Sequence, residues 1–477
     1  MSFSLDAWRT PEEAGVSSLG LADFLSAWEE KRNQVQFHSL IVLRHGKTVC
    51  RMNFAPYDDQ TPHTLFSLSK SFTSAAAGFA VAEGKIAWDS RVADLLPEEV
   101  PQGRREELLP ITLENLLCMG SGLEEESDSL PSDPGVTWAR HVLSHRLAYP
   151  PMTHFHYNTL GTYLVSCMLQ KATGQTVRDY LTPRLFAPLG IETPAWDLSP
   201  QGVCCGGFGL HLKADDIARF GQCLLDHGLW QGKRVLPEGW VELATREHIA
   251  NYDGRPQDGN EWGQGYGFQF WRCMDGRYRG DGMFGQVCMI DEKRDAVVAA
   301  TCAAADMGEE FRLIREHLFP AFDAPAATEA QQQALRDRIG ALCYPFPADD
   351  GSGRPLPEGE YQAELQEKPV RVALRMGPQE QLCLILRGMG EPEAVLPLSR
   401  GKAGLCAVIP MNGVQMRYLG AYGWRQGALH IAIRCPDGPD TADGVLTWSG
   451  DQLVFDGFGA VFPHGRTVFR RVTKGTE

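Results

Sequence analysis

The sequence predicts an α+β fold: an antiparallel sheet flanked by helices, with a helical subdomain, and a second, all-β domain at the C-terminus. Three observations support this prediction. The length of 477 residues exceeds one ordinary domain, strand-like runs lie on both sides of a helix-rich stretch, and the last part of the chain has only short strand patterns. We expect a first domain over residues 1–322, a linker over 323–357 and the β domain over 358–477.

The first predicted elements are a hairpin and a helix. Residues 39–50 (SLIVLRHGKTVC) place a His45-Gly46 turn between two short β-branched runs, which predicts a hairpin that opens the sheet. Residues 67–83 (SLSKSFTSAAAGFAVAE) are small and apolar at helical spacing. Gly84 follows at the point where the end of a helix needs a positive φ.

The middle of the chain, from about residue 108 to 246, is predicted to be helical. Helices are indicated over residues 159–172, 176–186 and 215–226, because Gly or Pro follows each of them. Strand-like runs return at residues 266–273 and 286–302, and a helix is predicted over 308–318. The helical subdomain is therefore inserted into the sheet.

The C-terminal pattern differs from everything before it. An Ala/Gln-rich short helix and a Pro/Gly/Asp-rich linker come first. Short strands are then predicted over residues 370–376, 381–387, 429–434 and 445–455, separated by Gly, Asp and Asn clusters. A barrel and a sandwich both fit this pattern.

The charge of the chain limits the class of partner. The formal net charge is -15, with 45 Lys and Arg against 60 Asp and Glu, and there is no basic run, so nucleic acid is not an expected ligand. The first residues lack the pattern of a secretory signal, and the longest weakly apolar run is too short to cross a bilayer. The 13 cysteines include no CxxC pair, which fits reduced thiols. We expect a cytoplasmic protein that does not bind membranes.

Ser67 and Lys70 form an S-x-x-K step at the start of the first predicted helix. On a helix, this spacing puts the ammonium group on the same face as the hydroxyl. A serine hydroxyl is a poor nucleophile until a base removes its proton, and a lysine that is partly desolvated beneath the helix can have its pKa lowered enough to help. An accidental pair is the alternative, but the small residues at 75–78, which allow close packing, favour a central catalytic helix.

Tyr157 stands at a loop-to-helix junction, just before the helix predicted over residues 159–172. At such a junction a tyrosine can point its hydroxyl into a cleft. It can serve as a general base only where a nearby cation lowers its pKa, and Lys70 would be that cation. Taken alone, a tyrosine such as Tyr157 is more often a half-buried packing residue.

A glycine-rich segment, GDGMFGQ at residues 280–286, matches G-x-G-x-x-G. The dinucleotide-binding interpretation requires a helix after the motif, whereas here a strand follows, so we reject it. The segment is better explained as a strand edge that approaches a substrate closely and offers a backbone N–H to an oxyanion. His141 and His145 are four residues apart, but an HExxH glutamate and a third ligand are missing, so a metal is not expected.

Together these motifs resemble the serine β-lactamase and penicillin-binding-protein superfamily, in the branch of class C β-lactamases, family VIII esterases, D-aminopeptidases and 6-aminohexanoate-oligomer hydrolases. The resemblance covers about residues 10–320, and the motifs come in the family's order. They include FSLSKSF at 66–72, ITLENLLCMGSGL at 111–123, FHYNTLGTYL at 155–164 and LKADDIARFGQ at 212–222. The resemblance implies a β-lactamase-like first domain, and the β domain resembles barrel or lipocalin-like domains appended to some of these hydrolases.

The resemblance also implies roles for individual residues. Ser67 would be the acylated nucleophile, Lys70 and Tyr157 the proton-transfer pair, and the backbone N–H groups of Ser67 and Met283 the oxyanion hole. Neither a metal nor an organic cofactor is implied. The expected function is therefore hydrolysis of a small-molecule ester or amide through an acyl-enzyme.

Two departures from the family pattern concern substrate binding. Thr159 stands where many members have the Asn of Tyr-x-Asn, and Gly280-Asp281-Gly282 stands where relatives have Lys-Thr-Gly or His-x-Gly. We expect these four residues to line the substrate site. Since an aspartate there would repel a substrate carboxylate that a Lys or His would hold, we expect an uncharged or amine-bearing substrate.

Two other functions stay open at this point. One is a penicillin-binding-type sensor that is acylated but deacylates slowly. The other is a non-catalytic interaction protein whose β domain carries the function. A homo-oligomer is compatible with all of these.

Overall fold

The chain forms a sheet-and-helix region followed by a C-terminal β-barrel. The computed structural model describes residues 5–472, apart from residues 6, 125–129, 132, 134, 193, 366–367, 388–393, 412–413 and 460–464. The predicted α+β class with a second, all-β domain is confirmed.

Six antiparallel strands form the main sheet: β1 (Val35–Arg44), β2 (Lys47–Asn53), β3 (Trp271–Arg272), β4 (Tyr278–Gly282), β5 (Gln286–Asp291) and β6 (Ala296–Ala304). Their order across the sheet is β2-β1-β6-β5-β4-β3. The predicted hairpin is confirmed, with positive φ at His45 and Gly46 between β1 and β2. A smaller sheet is built from His63–Thr64, Ala195–Trp196 and Leu210–Leu212.

The longer helices are α1 (Ser18–Lys31), α2 (Ser69–Ala82), α3 (Thr159–Thr173), α4 (Ala214–Leu225), α5 (Met307–Leu313) and α6 (Glu329–Gly340). Shorter α-helices span Val92–Leu95, Arg105–Leu108, Leu113–Leu117, Trp138–Ser144, Val177–Leu181, Ala187–Leu189 and Trp240–Thr245. Single 3₁₀ turns lie at Pro11–Ala14, Phe66–Leu68, Met274–Gly276, Phe319–Phe322 and Pro378–Glu380, and π-helical turns at Thr182–Phe186 and Ile314–Leu318.

The main sheet is buried on both faces, which explains the continuous apolar run of β1. Leu40 and Val42 point into a core shared with α1, whereas Ile41 and Leu43 point into a second core that contains α2, α3 and α4. Alternate residues of a strand face opposite sides, so helices cover both faces of the sheet. In the described chain, no helix is both long and apolar enough to span a membrane.

Three predicted segments differ in detail. The strand predicted over residues 266–273 is reduced to β3, because Gln269 has a positive φ and its side-chain amide donates to the carbonyls of Leu116 and Leu117. Residues 286–302 and 445–455 each contain a turn and belong to two strands. The helix predicted over residues 67–83 begins as a 3₁₀ turn and ends before Gly84, whose φ of 67° agrees with the prediction.

The C-terminal strands are β7 (Gly359–Leu365), β8 (Lys368–Met376), β9 (Leu382–Arg387), β10 (Ala394–Arg400), β11 (Gly404–Met411), β12 (Val414–Arg425), β13 (Ala428–Arg434), β14 (Thr441–Ser449), β15 (Gln452–Gly459) and β16 (Gly465–Arg471). Nine of them close into a barrel in the order β10-β9-β8-β7-β16-β15-β14-β13-β12. A short parallel pairing of β10 with β12, Ser399 with Ala421 and Arg400 with Tyr422, closes it. Strand β11 pairs with β12 outside the ring.

The barrel packs on the sheet-and-helix region near residue 64. The backbone N–H of Thr64 donates to the carbonyl of Asp437, in the loop between β13 and β14, at 2.9 Å. The hydroxyl of Thr441 donates to the side chain of Gln36 on β1 at 3.3 Å. Within the stretch predicted as a linker, α6 packs on α1, and Arg338 donates to the carbonyl of Ala22.

Candidate active site

Ser67 lies in the 3₁₀ turn that leads into α2, next to a deeply buried lysine. Lys70, in the first turn of α2, is 1% exposed. Its Nζ donates to Ser67 Oγ at 2.8 Å, to Thr159 Oγ1 at 3.2 Å and to the Gly207 carbonyl at 2.8 Å. An ammonium group has three N–H donors, so these three acceptors stabilise its charged form inside the protein.

Tyr157 brings an aromatic ring to the same cation. Lys70 Nζ lies 4.8 Å from the centroid of the Tyr157 ring, which itself stacks on Trp271 at 5.4 Å and 13°. Asn158, the residue between Tyr157 and Thr159, is the N-cap of α3 and accepts from the backbone N–H of Gly161. The cap fixes where the helix begins, and so places Tyr157 just outside it and Thr159 in its first turn.

Strand β4 passes directly against the turn that carries Ser67. A Cβ on Gly282 would lie 2.1 Å from the carbonyl oxygen of Leu65, and a Cβ on Gly280 would lie 2.4 Å from Ser71 Oγ. Only glycine permits this approach of strand to turn. The structure thus brings Gly280, Gly282 and the next residue, Met283, close to Ser67.

The residues beside the two predicted oxyanion donors also touch each other. Phe66 precedes Ser67 and Phe284 follows Met283, and both have a positive φ, 46° and 64°. Their rings pack edge to face with centroids 5.4 Å apart. This contact ties the nucleophile's turn to the end of β4.

The position of Asp281 corrects one expectation. Its side chain is on the face of β4 opposite to Gly280 and Gly282, is 6% exposed, and accepts from Arg279 Nε at 2.9 Å. Arg279 is fully buried beside it. The expected repulsion of a substrate carboxylate by Asp281 is therefore wrong, since its charge is met by an arginine behind the strand. Gly280 remains a departure from the family pattern, because it offers no cation at the position where the pattern has Lys or His.

Two residues contribute to the site through contacts that the sequence does not predict. The Gly207 carbonyl is an acceptor for Lys70, and Trp271 supports the ring of Tyr157. The glycine pair in CCGGFG is a signal that the chain makes a close approach at Gly207, because a Cβ there would lie 2.5 Å from the carbonyl oxygen of Thr159. The sequence does not show, however, that the Gly207 carbonyl accepts a hydrogen bond from Lys70.

An antiparallel sheet covered by helices, with an S-x-x-K serine at the start of its central helix, defines the class of serine β-lactamase-related proteins. A family model described as Beta-lactamase matches residues 25–319. The chain belongs to the beta-lactamase family.

Individual relatives agree with this assignment. The 6-aminohexanoate-dimer hydrolase of Paenarthrobacter ureafaciens is 28% identical over 319 residues, which are 61% of this chain and 78% of that protein. The structure of EstCE1, a hydrolase with promiscuous acyltransferase activity, has a TM-score of 0.52 and 17% identity over 63% of this chain and 99% of its own. The crystal structure of SurE has the same TM-score and identity, over 97% of this chain and 99% of that one. The likeness in fold to SurE therefore extends through the C-terminal barrel.

Proposed function

We propose that this protein is a serine hydrolase that cleaves an ester or amide through an acyl-enzyme on Ser67. The observation that supports this most is the buried ammonium of Lys70, held 2.8 Å from Ser67 Oγ. Burying a cation costs free energy unless nearby polar groups replace the water it loses. The three acceptors of Lys70 do this, and one of them is the Ser67 hydroxyl, which can act as a nucleophile. The name of the 28% identical relative, 6-aminohexanoate-dimer hydrolase, supports hydrolysis as the reaction class.

Lys70 and Tyr157 form the proton-transfer pair of this proposal. Lys70 in its charged form has no lone pair with which to take a proton, so it acts by electrostatics. It favours the phenolate of Tyr157, which then removes the proton of Ser67 as Ser67 Oγ bonds to the substrate carbonyl carbon. Tyr157 next gives that proton to the leaving alcohol or amine, and the carbonyl re-forms as the acyl-enzyme.

Two backbone N–H groups, of Ser67 and Met283, stabilise the tetrahedral oxyanion in this proposal. Preorganised backbone donors at such a position are worth a few kcal/mol in the transition state. The close approach of Gly282 to Leu65 supports it, because it brings the end of β4 to the nucleophile's turn. In the second half-reaction Tyr157 removes a proton from a water whose oxygen bonds to the acyl carbon; the bond from that carbon to Ser67 Oγ then breaks, and Tyr157 returns the proton to Ser67.

The experiment compares Ser67→Ala with a matched control on the same helix. Ser74 is a buried serine of α2 whose hydroxyl has no hydrogen-bond partner within the described ranges, so Ser74→Ala changes the same group at a neutral place. With p-nitrophenyl acetate as substrate, Ser67→Ala should lower kcat by on the order of 10⁴-fold or more, whereas Ser74→Ala should retain wild-type kcat. A fluorophosphonate probe should add its mass to the peptide that contains Ser67.

The alternatives give different results in the same experiment. A stoichiometric burst of p-nitrophenol without turnover would indicate the slowly deacylating sensor. Folded protein that neither turns over the ester nor reacts with the probe would indicate an interaction protein. Full activity in Ser67→Ala would refute the assignment of the nucleophile.

A further inference from the structure

The segment that carries the Met283 N–H, one of the two proposed oxyanion donors, is a tight turn between β4 and β5. The backbone N–H of Gly285 donates to the Gly282 carbonyl at 3.0 Å, and Phe284 and Gly285 have positive φ values of 64° and 89°. The side chain of Met283 is 57% exposed. Packing of that side chain therefore does little to hold its backbone N–H in place, and the direction of this N–H depends on contacts of the backbone.

Gln286, the first residue of β5, supplies such a contact from inside the protein. It is 0% exposed. Its side-chain Nε2 donates to the Met283 carbonyl at 3.1 Å and to the Cys302 carbonyl on β6 at 2.9 Å, and its Oε1 accepts from the Cys302 N–H at 3.2 Å. Both N–H groups of the amide and its oxygen are thus used. A single buried side chain joins the turn to a strand of the main sheet.

The Gln286 amide takes the place of a backbone pair between β5 and β6. In the described chain, the last backbone pair of these two strands on this side is Val287 with Ala300. Alternate residues of an antiparallel strand bond to the same neighbour, so Cys302 is the next residue of β6 whose backbone faces β5. Gly285 would be its partner in a continued ladder, but the Gly285 N–H closes the turn instead. The side chain of Gln286 therefore bonds to the Cys302 backbone as a strand residue would.

Close packing leaves the turn little room to shift. A Cβ on Gly285 would lie 2.2 Å from Glu310 Oε2 and 3.0 Å from the Cβ of Cys302. The Phe284 carbonyl accepts from the Ala304 N–H at 2.9 Å. Backbone contacts to β6 therefore lie on both sides of the glutamine amide, and the amide fills the gap between them.

The Met283 N–H lies between two points that Gln286 holds. The backbone of Gln286 is opposite Gly282 in the pairing of β4 with β5, and its side chain bonds to the Met283 carbonyl. The peptide group that carries the Met283 N–H joins these two points. A shift of either point would rotate that peptide group, and the direction of the N–H would change with it.

We propose that Gln286 is the positioning residue of the oxyanion hole, which fixes the direction of the Met283 N–H through the Met283 carbonyl. Because Gln286 is fully buried, it acts through the turn and does not touch the substrate. A donor that is fixed in advance does not have to reorient as charge develops on the substrate oxygen, and this preorganisation lowers the barrier. The inference rests on the proposed function and deepens it, since it assigns what holds one of the two donors.

The test replaces the amide by a side chain of similar size without its hydrogen bonds. Gln286→Met removes all three of them. The matched control is Gln222→Met on α4, where a 4% exposed glutamine donates through Nε2 to Asp226 at 3.0 Å. With p-nitrophenyl acetate, kcat of Gln286→Met should fall on the order of 10- to 100-fold with KM nearly unchanged, whereas Gln222→Met should keep wild-type kcat.

The separation of kcat from KM has a physical reason. Acylation and deacylation both pass through a tetrahedral oxyanion in the same hole, so both steps slow together and their ratio, which enters KM, is kept. Phenylboronic acid provides a second measurement, because its boron bonds to Ser67 Oγ and becomes tetrahedral like the transition state. Its inhibition constant should rise on the order of tenfold or more in Gln286→Met. A structural role alone would lower the free energy of unfolding without these effects.

A second variant keeps the inference testable if Gln286→Met does not fold. Gln286→Glu has the same shape and keeps an acceptor for the Cys302 N–H. As a neutral acid it has one donor for the carbonyls of Met283 and Cys302, and as a carboxylate it has none. We expect kcat to fall and the inhibition constant of phenylboronic acid to rise, each on the order of tenfold. Circular dichroism and urea unfolding verify that each variant is folded.

Failure of this inference differs from failure of the proposed function. Turnover that requires Ser67, with wild-type kcat in a folded Gln286 variant, would overturn the positioning role alone. A loss of kcat without weaker inhibition by phenylboronic acid would also overturn it, because Gln286 would then affect a step other than stabilisation of the oxyanion. So would an equal loss of kcat in Gln222→Met. Absence of Ser67-dependent ester turnover would overturn the proposed function, and this inference with it.

Discussion

Lys70 is the residue on which the proposed chemistry depends. Its side chain is buried, its ammonium contacts three oxygen acceptors, and it lies over the ring of Tyr157. Each acceptor stabilises the positive charge, and that charge in turn favours a phenolate nearby. Removing one acceptor should therefore weaken catalysis without removing the nucleophile.

Thr159 provides a test of this argument, because its hydroxyl is one of the three acceptors. Thr159→Val keeps the shape of the side chain and deletes the oxygen. We expect kcat for p-nitrophenyl acetate to fall by roughly ten- to hundredfold, the range of one charge-assisted hydrogen bond, with a smaller change in KM. Thr159→Ser should retain most of the activity, and a Val variant with full kcat would contradict the role of this contact.

The sequence identifies the side chains of the site better than their backbone partners. Ser67 and Lys70 are three residues apart, so a helix alone brings them together, and Tyr157 is marked by the helix that starts after it. Gly207 and Trp271 reach the site only through the tertiary fold. Asp281 was placed in the right strand but on the wrong face, because the buried Arg279 that pairs with it is recognisable only in three dimensions.

At the scale of elements, the contact between β4 and the 3₁₀ turn positions the proposed oxyanion hole. Gly282 sits so close to Leu65 that any side chain would meet a backbone oxygen, which cannot rotate away. A flexible side chain would yield at such a distance, whereas a turn of backbone must move as a whole. The glycine is thus required by the neighbouring element.

Gly282→Ala should separate β4 from the turn. A Cβ at 2.1 Å from the Leu65 carbonyl oxygen forces a shift, at a cost of about 1–3 kcal/mol in the free energy of unfolding. Activity should fall further than stability, since the Met283 N–H moves with the strand. Urea unfolding and ester kinetics measure the two effects. Gly340→Ala, at the end of α6 where nothing lies within 4 Å, is the control, and equal behaviour of the two variants would refute the argument.

Elements with regular periodicity were predictable, and irregular ones were not. The hairpin of β1 and β2 and the helix α3 follow from local patterns. Residues 266–273 have the apolar content of a strand, but the side chain of Gln269 binds helix-end carbonyls and bends the segment. Apolar residues are buried both in a strand and in a bent segment, so composition could not distinguish these two conformations.

At the scale of the whole molecule, a buried histidine pair lies where the main sheet, the short strand His63–Thr64 and the barrel meet. His38 Nδ1 and His63 Nε2 are 3.0 Å apart, and the His38 ring stacks on Tyr57 at 3.5 Å. Burial lowers the pKa of His63 to about 4. Burial, His63 and Arg434 of the barrel lower the pKa of His38. Both rings are thus neutral in the folded protein near pH 7.

Stability should therefore fall in mild acid. An unfolded histidine has a pKa of about 6.5, so between pH 6.5 and 4 the unfolded chain binds more protons than the folded one. The free energy of unfolding should decrease by up to about 1.4 kcal/mol per pH unit for His63 as the pH falls through this window. Urea unfolding at several pH values measures the slope. His63→Gln should flatten it, the exposed His154→Gln should not, and a slope unchanged in His63→Gln would contradict the assignment.

The sequence predicted an all-β second domain but not which of its two candidate architectures it adopts. The closing contact is the short parallel pairing of β10 with β12, and strand β11 lies between them in sequence but outside the ring. Alternation and turns specify each hairpin locally. Closure of the barrel depends on the two residue pairs that join β10 to β12, and no local sequence pattern predicts their register.

The pairing of β1 with β6 has a consequence for how the chain matures on the ribosome. The N-terminal strand leaves the exit tunnel long before its partner exists, since Val35 is opposite Ala304 in the finished sheet. Until then, the apolar faces of β1 lack their central neighbour, and a nascent chain in this condition exposes surface that chaperones bind. A chain released before β6 is synthesised lacks a central strand of the sheet that the helices cover, so the site around Ser67 can form only late in synthesis.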